Sequence, residues 1–126
     1  MPEQQLVIAL CPDLMMRSRI ESGLEIAGYR LRVVGGPTRL AEALAEETPA
    51  CMLIDLEAGD EAIALIRQLR ADDATRDIPL AAFAGHTRED LIAAARDAGA
   101  DPVVARGQAA MGTGKVVTNA IAARTA

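Results

Sequence analysis

Short apolar runs alternate with amphipathic stretches along the whole chain. The runs QLVIAL (5–10), RLRVV (30–34), CMLID (51–55), IPLAAFA (78–84) and PVVA (102–105) have the length of strands. Several are apolar at successive positions, as parallel strands covered on both faces are. Between them, helical spacing groups Met16, Ile20, Leu24 and Ala27, then Leu40, Ala41, Leu44 and Ala45, then Ala62, Ile63, Ile66 and Leu69. A fourth helix ends near Ala98, and the last carries Val117, Ala120 and Ile121. The punctuation agrees. Asp13 stands where an N-cap opens the first helix and Gly28 where a C′ residue ends it. Gly35, Gly36 and Pro37 close the second strand with Thr38 as the next cap, and Pro49 marks a further boundary. Thr87 and Asp90 are spaced as a capping box, Gly99 is a natural stop, and Gly112 and Gly114 weaken the start of the final helix. A strand and a helix repeated five times predict an α/β domain with a doubly wound parallel sheet, whose ligand crevice lies at the C-terminal ends of the strands.

Length adds that 126 residues make one domain, 1–126, large enough to hold a core without disulfides or a structural metal. Composition narrows the chemistry. Tyr29 and Phe83 are the only aromatic residues and the net charge is −5, so bases find no stacking platform and phosphate backbones no basic face. Direct nucleic-acid binding is not expected. The apolar runs are too short to cross a membrane, and the start MPEQQ lacks a secretory pattern, so the expected place is the cytoplasm. Cys11 and Cys51 have no metal-type spacing and read as small buried hydrophobes kept reduced. About four residues of strand rise separate them, on the order of 13 Å, beyond disulfide reach.

The strand ends hold few candidates: Cys11, Pro12 and Asp13 after the first, Asp55 after the third, Ala84 and Gly85 after the fourth, and Arg106 after the fifth. Asp13 reads as a helix cap rather than a metal ligand. His86, the one histidine, reads as a surface residue, since one His makes no zinc site. GTGK at 112–115 lacks both the upstream glycine of a phosphate loop and the Ser or Thr after the Lys.

The segments LIDLE, IPLAAFAGH and EDLIAAARDAGADPVVAR resemble the phosphoacceptor strand, the fourth strand, and the fourth helix with fifth strand of the receiver domains of two-component response regulators. The resemblance runs over essentially the full length. It implies a flavodoxin-like five-stranded sheet in the order 2-1-3-4-5 with five helices. It also maps the family's site: Asp55 matches the phosphoacceptor and Arg106 lies at the conserved-lysine position. Cys11 and Pro12 occupy the acidic pair that holds Mg²⁺ in the family, and neither offers a side-chain oxygen. Asp13 falls one residue late. Ala84 replaces the hydroxyl residue, Val103 the aromatic coupled to it, and Gly107 the proline after the lysine, so the Arg106–Gly107 bond should be trans. Phosphoryl transfer depends on neutralising charge on the transferred group, and a donor would meet Asp55, Glu57 and Asp60 with Arg106 alone opposing them.

The reading is therefore a degenerate, non-enzymatic receiver (a pseudo-receiver) with no metal or other cofactor and no catalytic residue. It docks a protein partner, whether a histidine kinase, an output domain or itself as a homodimer. The expected face lies on the fourth and fifth helices, with Leu91, Ala94, Ala95 and Val117 at its margins. Two alternatives stand beside it: an atypical receiver still phosphorylated on Asp55, and a flavodoxin-like small-molecule binder or enzyme. The second lacks a Gly-rich cradle after strand one.

Overall fold

A computed structural model describes residues 4–59 and 61–125. Five parallel strands, β1 (Leu6–Leu10), β2 (Arg30–Val34), β3 (Cys51–Asp55), β4 (Leu80–Ala84) and β5 (Val103–Ala105), form one sheet in the order β2-β1-β3-β4-β5. The helices are α1 (Leu14–Ile26), α2 (Pro37–Glu46), α3 (Ala62–Ala71), α4 (Glu89–Ala98), α5 (Arg106–Met111) and α6 (Thr113–Thr125). Every residue of β1, β3 and β4 is buried, which explains why these strands read as continuous apolar runs. Successive side chains enter opposite layers. Ile8, Leu10, Met52, Ile54, Leu80 and Ala82 pack with Leu40 of α2 and Ile66 of α3, while Val7, Ala9, Leu53 and Phe83 pack with Ile20 and Leu24 of α1 and Val117 of α6. Each buried Leu or Ile contributes about 1.5–3 kcal/mol. No helix among the described residues is long and apolar enough to cross a membrane.

Capping fixes where the elements turn toward the site. Asp13 is the N-cap of α1, its Oδ1 accepting from the Met15 N–H at 3.0 Å and the Met16 N–H at 3.2 Å. Gly28 (φ 87°) and Gly99 (φ 114°) take the left-handed conformation at the ends of α1 and α4. Two expected caps do not form. Pro37, not Thr38, opens α2, with Gly36 as an N-cap that has no side chain to offer. Helix α4 begins at Glu89, with Arg88 rather than Thr87 at the N-cap position, so Thr87 and Asp90 make no capping box.

Among the described residues the helix count is six rather than five. Residues 106–111 make a short helix of their own directly after β5, and Gly112 then breaks the path before α6 starts. The expected weak start near Gly114 has a packing reason. A Cβ there would stand 2.5 Å from the Ala27 Cβ, and one at Gly23 would stand 2.9 Å from the Thr113 Oγ1, so α1 and α6 press together through hydrogen atoms alone. The Arg106–Gly107 bond is trans; among the described residues the cis bond is Asp101–Pro102.

The expected docking margin also needs correction. Ala95 and Val117 are fully buried, Ala95 against the sheet and Val117 in the layer beneath α6, while Leu91 packs against the core. Alanine fits a helix surface and a tight helix–sheet contact equally well, so its presence did not distinguish them.

Candidate functional site

The C-terminal ends of β1, β3, β4 and β5 bring Cys11, Asp55, Ala84 and Arg106 to one mouth. Asp55 is the last residue of β3 and only 1 % exposed. Its Oδ1 accepts the Glu57 N–H at 2.9 Å, which folds the chain back over the strand end as an Asx turn. Its Oδ2 accepts from Arg106 Nη2 at 3.0 Å and lies 3.8 Å from the Cys11 Sγ. Burial pushes the Asp55 carboxyl above its ordinary range, against the Glu57 N–H and Arg106, which hold it down.

Arg106 opens α5 and reaches back across the mouth. The same Nη2 that holds Asp55 stands 3.4 Å from Asp13 Oδ2, so one guanidinium bridges a buried carboxylate and the capping residue of α1. Its Cζ lies 5.3 Å from the centroid of the Phe83 ring, a cation–π distance, and its Nη1 is buried with no hydrogen-bond partner. Arg17 of α1 donates through Nε to the Cys11 carbonyl at 2.6 Å and secures the end of β1. The Cys11 thiol is pushed up to about 11 by burial and by the neighbouring Asp55 charge, so it remains a protonated, weakly donating group.

The sequence-derived site residues thus fall into two sets. Asp55, Arg106 and Cys11 touch, and Asp13 joins them through Arg106 while also capping α1. Pro12 is exposed, and Ala84, fully buried, presents no hydroxyl. Val103 is buried beside Ala82 in the sheet, and His86 is exposed near the mouth beside Met15 and Met111 in an open cleft. Asp60 lies outside the described residues. Cys51, registered with Val7 four residues before Cys11, is a separate buried free thiol, pushed up to about 12 by burial.

The sequence marked Glu57 only as a negative charge near Asp55, not as a contact across the mouth. Glu57, on the turn after β3, extends its carboxylate to the start of the β4–α4 turn, where Oε1 accepts the Gly85 N–H at 2.6 Å and Oε2 stands 4.0 Å from Arg88 Nη1. Its position two residues after Asp55 was the available signal.

The donor set does not suit a divalent cation of the receiver kind. Hard cations need several carboxylate or carbonyl oxygens, but Cys11 and Pro12 after β1 offer no side-chain oxygen, and Asp13 and Asp55 share the Arg106 guanidinium. Among the described residues, no three His, Cys, Asp or Glu side chains are grouped to hold a metal ion.

No family model and no curated protein matches the sequence. Solved structures do match the fold. A response-regulator-like chain of Chloroflexus aurantiacus superposes with a TM-score of 0.87 at 18% identity, over 95% of this chain and 99% of that one. The receiver domain of a sensor histidine kinase of Pseudomonas aeruginosa, with magnesium coordinated in its active-site cleft, gives 0.82 at 16% identity over 95% and 99%. A CheY-like response-regulator receiver protein of Methanospirillum hungatei gives 0.82 at 13% identity over 98% of each. Strand order, helix placement and these superpositions agree, and the chain has the receiver-domain fold of response regulators.

Proposed function

We propose that this chain is a receiver-type signalling module that works by binding a protein partner and does not depend on Mg²⁺-assisted phosphorylation of Asp55. The observation that carries the reading is the occupied acceptor oxygen. Asp55 Oδ2 is held at 3.0 Å by Arg106 inside a mouth that leaves the residue 1 % exposed. An incoming phosphoryl group needs that carboxylate free, in line and accompanied by positive charge that follows the transferred oxygens. Arg106 supplies charge, but it spends it on the ground state of Asp55 and Asp13.

One guanidinium nitrogen held between Asp55 and Asp13 gives the mouth one arrangement, and a module with one arrangement presents one surface to its partner. Leu14, Met15 and Met111 are largely exposed near this mouth, the latter two at 77 % and 90 %, and offer adaptable apolar contact area. A kinase, an output domain or a second copy of the chain are the partner classes consistent with the fold. A cytoplasmic site of action is part of the proposal.

The test uses acetyl phosphate with millimolar Mg²⁺ and intact-mass measurement. The expected result is no phosphoryl adduct, together with partner binding that is unchanged in Asp55→Ala. A phosphoryl adduct abolished by Asp55→Ala, or partner affinity that collapses in that variant while the fold is intact, overturns the reading in favour of an atypical phosphorylated receiver.

A further inference from the structure

The mouth contains further contacts besides the Arg106 bridge. Two backbone N–H groups at the strand ends are each bonded to a carboxylate of the chain itself: the Glu57 N–H to Asp55 Oδ1 at 2.9 Å, and the Gly85 N–H, in the cleft that Arg106 also lines, to Glu57 Oε1 at 2.6 Å. The second bond is short for N–H···O and charge-assisted. Arg88 stands 4.0 Å from the other oxygen of Glu57 and is shared with Asp90 at 3.4 Å. Arg106 lies across the same mouth with its Nη1 buried and unpartnered.

Charge counting shows what Glu57 does. Asp13, Asp55, Glu57 and Asp90 face Arg88 and Arg106, an excess of two negative charges. Without Glu57 that excess is halved, the Gly85 N–H is free, and Arg88 is released from one of its two acids. Those groups together form the donor set that a small oxyanion uses.

We propose that Glu57 is an internal anion seated on the backbone donor of the β4–α4 turn, keeping small oxyanions out of the mouth and tying that turn to the end of β3. This deepens the phosphorylation-independent reading and rests on it. The β4–α4 turn is held by the protein's own carboxylate, so its position does not require a transferred phosphoryl group.

The experiment titrates inorganic phosphate, without Mg²⁺ and at constant ionic strength, into ¹⁵N-labelled native protein, Glu57→Ala and Glu57→Gln. Amide and arginine Nε resonances are followed by NMR. In the native protein the Gly85 amide should resonate downfield, as a short bond to a carboxylate requires, and remain in place as phosphate is added. In Glu57→Ala it should move upfield before any phosphate is present. It should then titrate saturably together with Arg106 Nε, with affinity at least about tenfold above native. Glu57→Gln, which keeps an acceptor without the charge, should fall between the two. Glu57→Ala that binds no phosphate, native protein that binds it equally well, or saturable shifts confined to residues away from Gly85 and Arg106 each overturn the proposal. If the alanine variant does not fold, Glu57→Gln decides alone, and a Gly85 amide and phosphate affinity identical to native overturn it. An Asp55-dependent adduct from acetyl phosphate sinks the functional reading without altering the phosphate titration, so the two failures are separable.

Discussion

Replacing Arg106 by alanine tests the central contact. The substitution removes one hydrogen bond of 3.0 Å and the positive charge opposing Asp55, which remains 1 % exposed and keeps only the Glu57 N–H and the weak Cys11 thiol contact. Breaking a fully buried pair by deleting one partner costs about 3–5 kcal/mol. Arg106 itself is 29 % exposed, so water can enter the space it vacates and the cost falls to about 2 kcal/mol. For a domain of this size that is a drop of roughly 8 °C in melting temperature.

The pH dependence has a defined sign. The folded-state pKa of Asp55 is raised above its unfolded value by burial, so the folded protein holds the proton longer. Stability from this group is therefore highest below the unfolded pKa, falls as pH rises toward the folded pKa, and levels off above it. Removing Arg106 raises the folded pKa further, widening the interval over which stability falls. The variant should thus match the native protein most closely in acid and diverge from it toward neutral pH. Urea unfolding at a series of pH values measures this directly, and a cycle with Asp55→Ala isolates the pair. A loss under about 0.5 kcal/mol at neutral pH, with no change across the series, would mean that the pair behaves as an ordinary surface ion pair, and the closed-mouth argument fails.

Three other outcomes are expected. Millimolar Mg²⁺ should leave the native melting temperature unchanged, whereas Cys11→Asp with Pro12→Asp should gain about 2.7 kcal/mol when Mg²⁺ is a hundredfold above its Kd; calorimetry with and without metal checks this, and a clear native shift would show that Asp13 or another oxygen completes a site. Gly114→Val should destabilise by about 1–3 kcal/mol because its side chain meets Ala27, while Gly107→Ala, with open space around it inside α5, should be stabilising by about 0.5–1 kcal/mol, both read by denaturant unfolding. Cys11 and Cys51, buried and pushed up to about 11 and about 12, should resist alkylation at pH near 8 in the native protein and both react on unfolding, giving two adducts by mass; a bridge between them would contradict the sheet register.

Much of the architecture was legible because its signals are local and physically strong. LVIAL and LAAFA are apolar throughout because both faces are covered, and Asp13 and Gly99 punctuate helices by mechanisms that need only their own chemistry. The order of strand ends was enough to bring Asp55 and Arg106 to the same mouth. What escaped was non-local or ambiguous at single residues. RGQAAM carries a glycine and follows a strand, so it reads as a loop until β5 and α6 fix its ends. Gly114 reads as a weak helix residue until Ala27 arrives from α1. The reach of Glu57 to Gly85 spans 28 positions and depends on a side-chain rotamer, which no periodicity encodes.

The position of Phe83 beneath Arg106 gives the molecule a built-in reporter. It is the only phenylalanine in the chain, and Tyr29, the only tyrosine, bonds Thr118 at 2.7 Å on the flank of α6. With no tryptophan present, intrinsic fluorescence is dominated by Tyr29, which packs in the layer of α1 and α6. Biosynthetic incorporation of fluorophenylalanine would place a single fluorine label under the guanidinium, with no assignment step. One-dimensional ¹⁹F spectra would then register every event at the mouth as a change in one line.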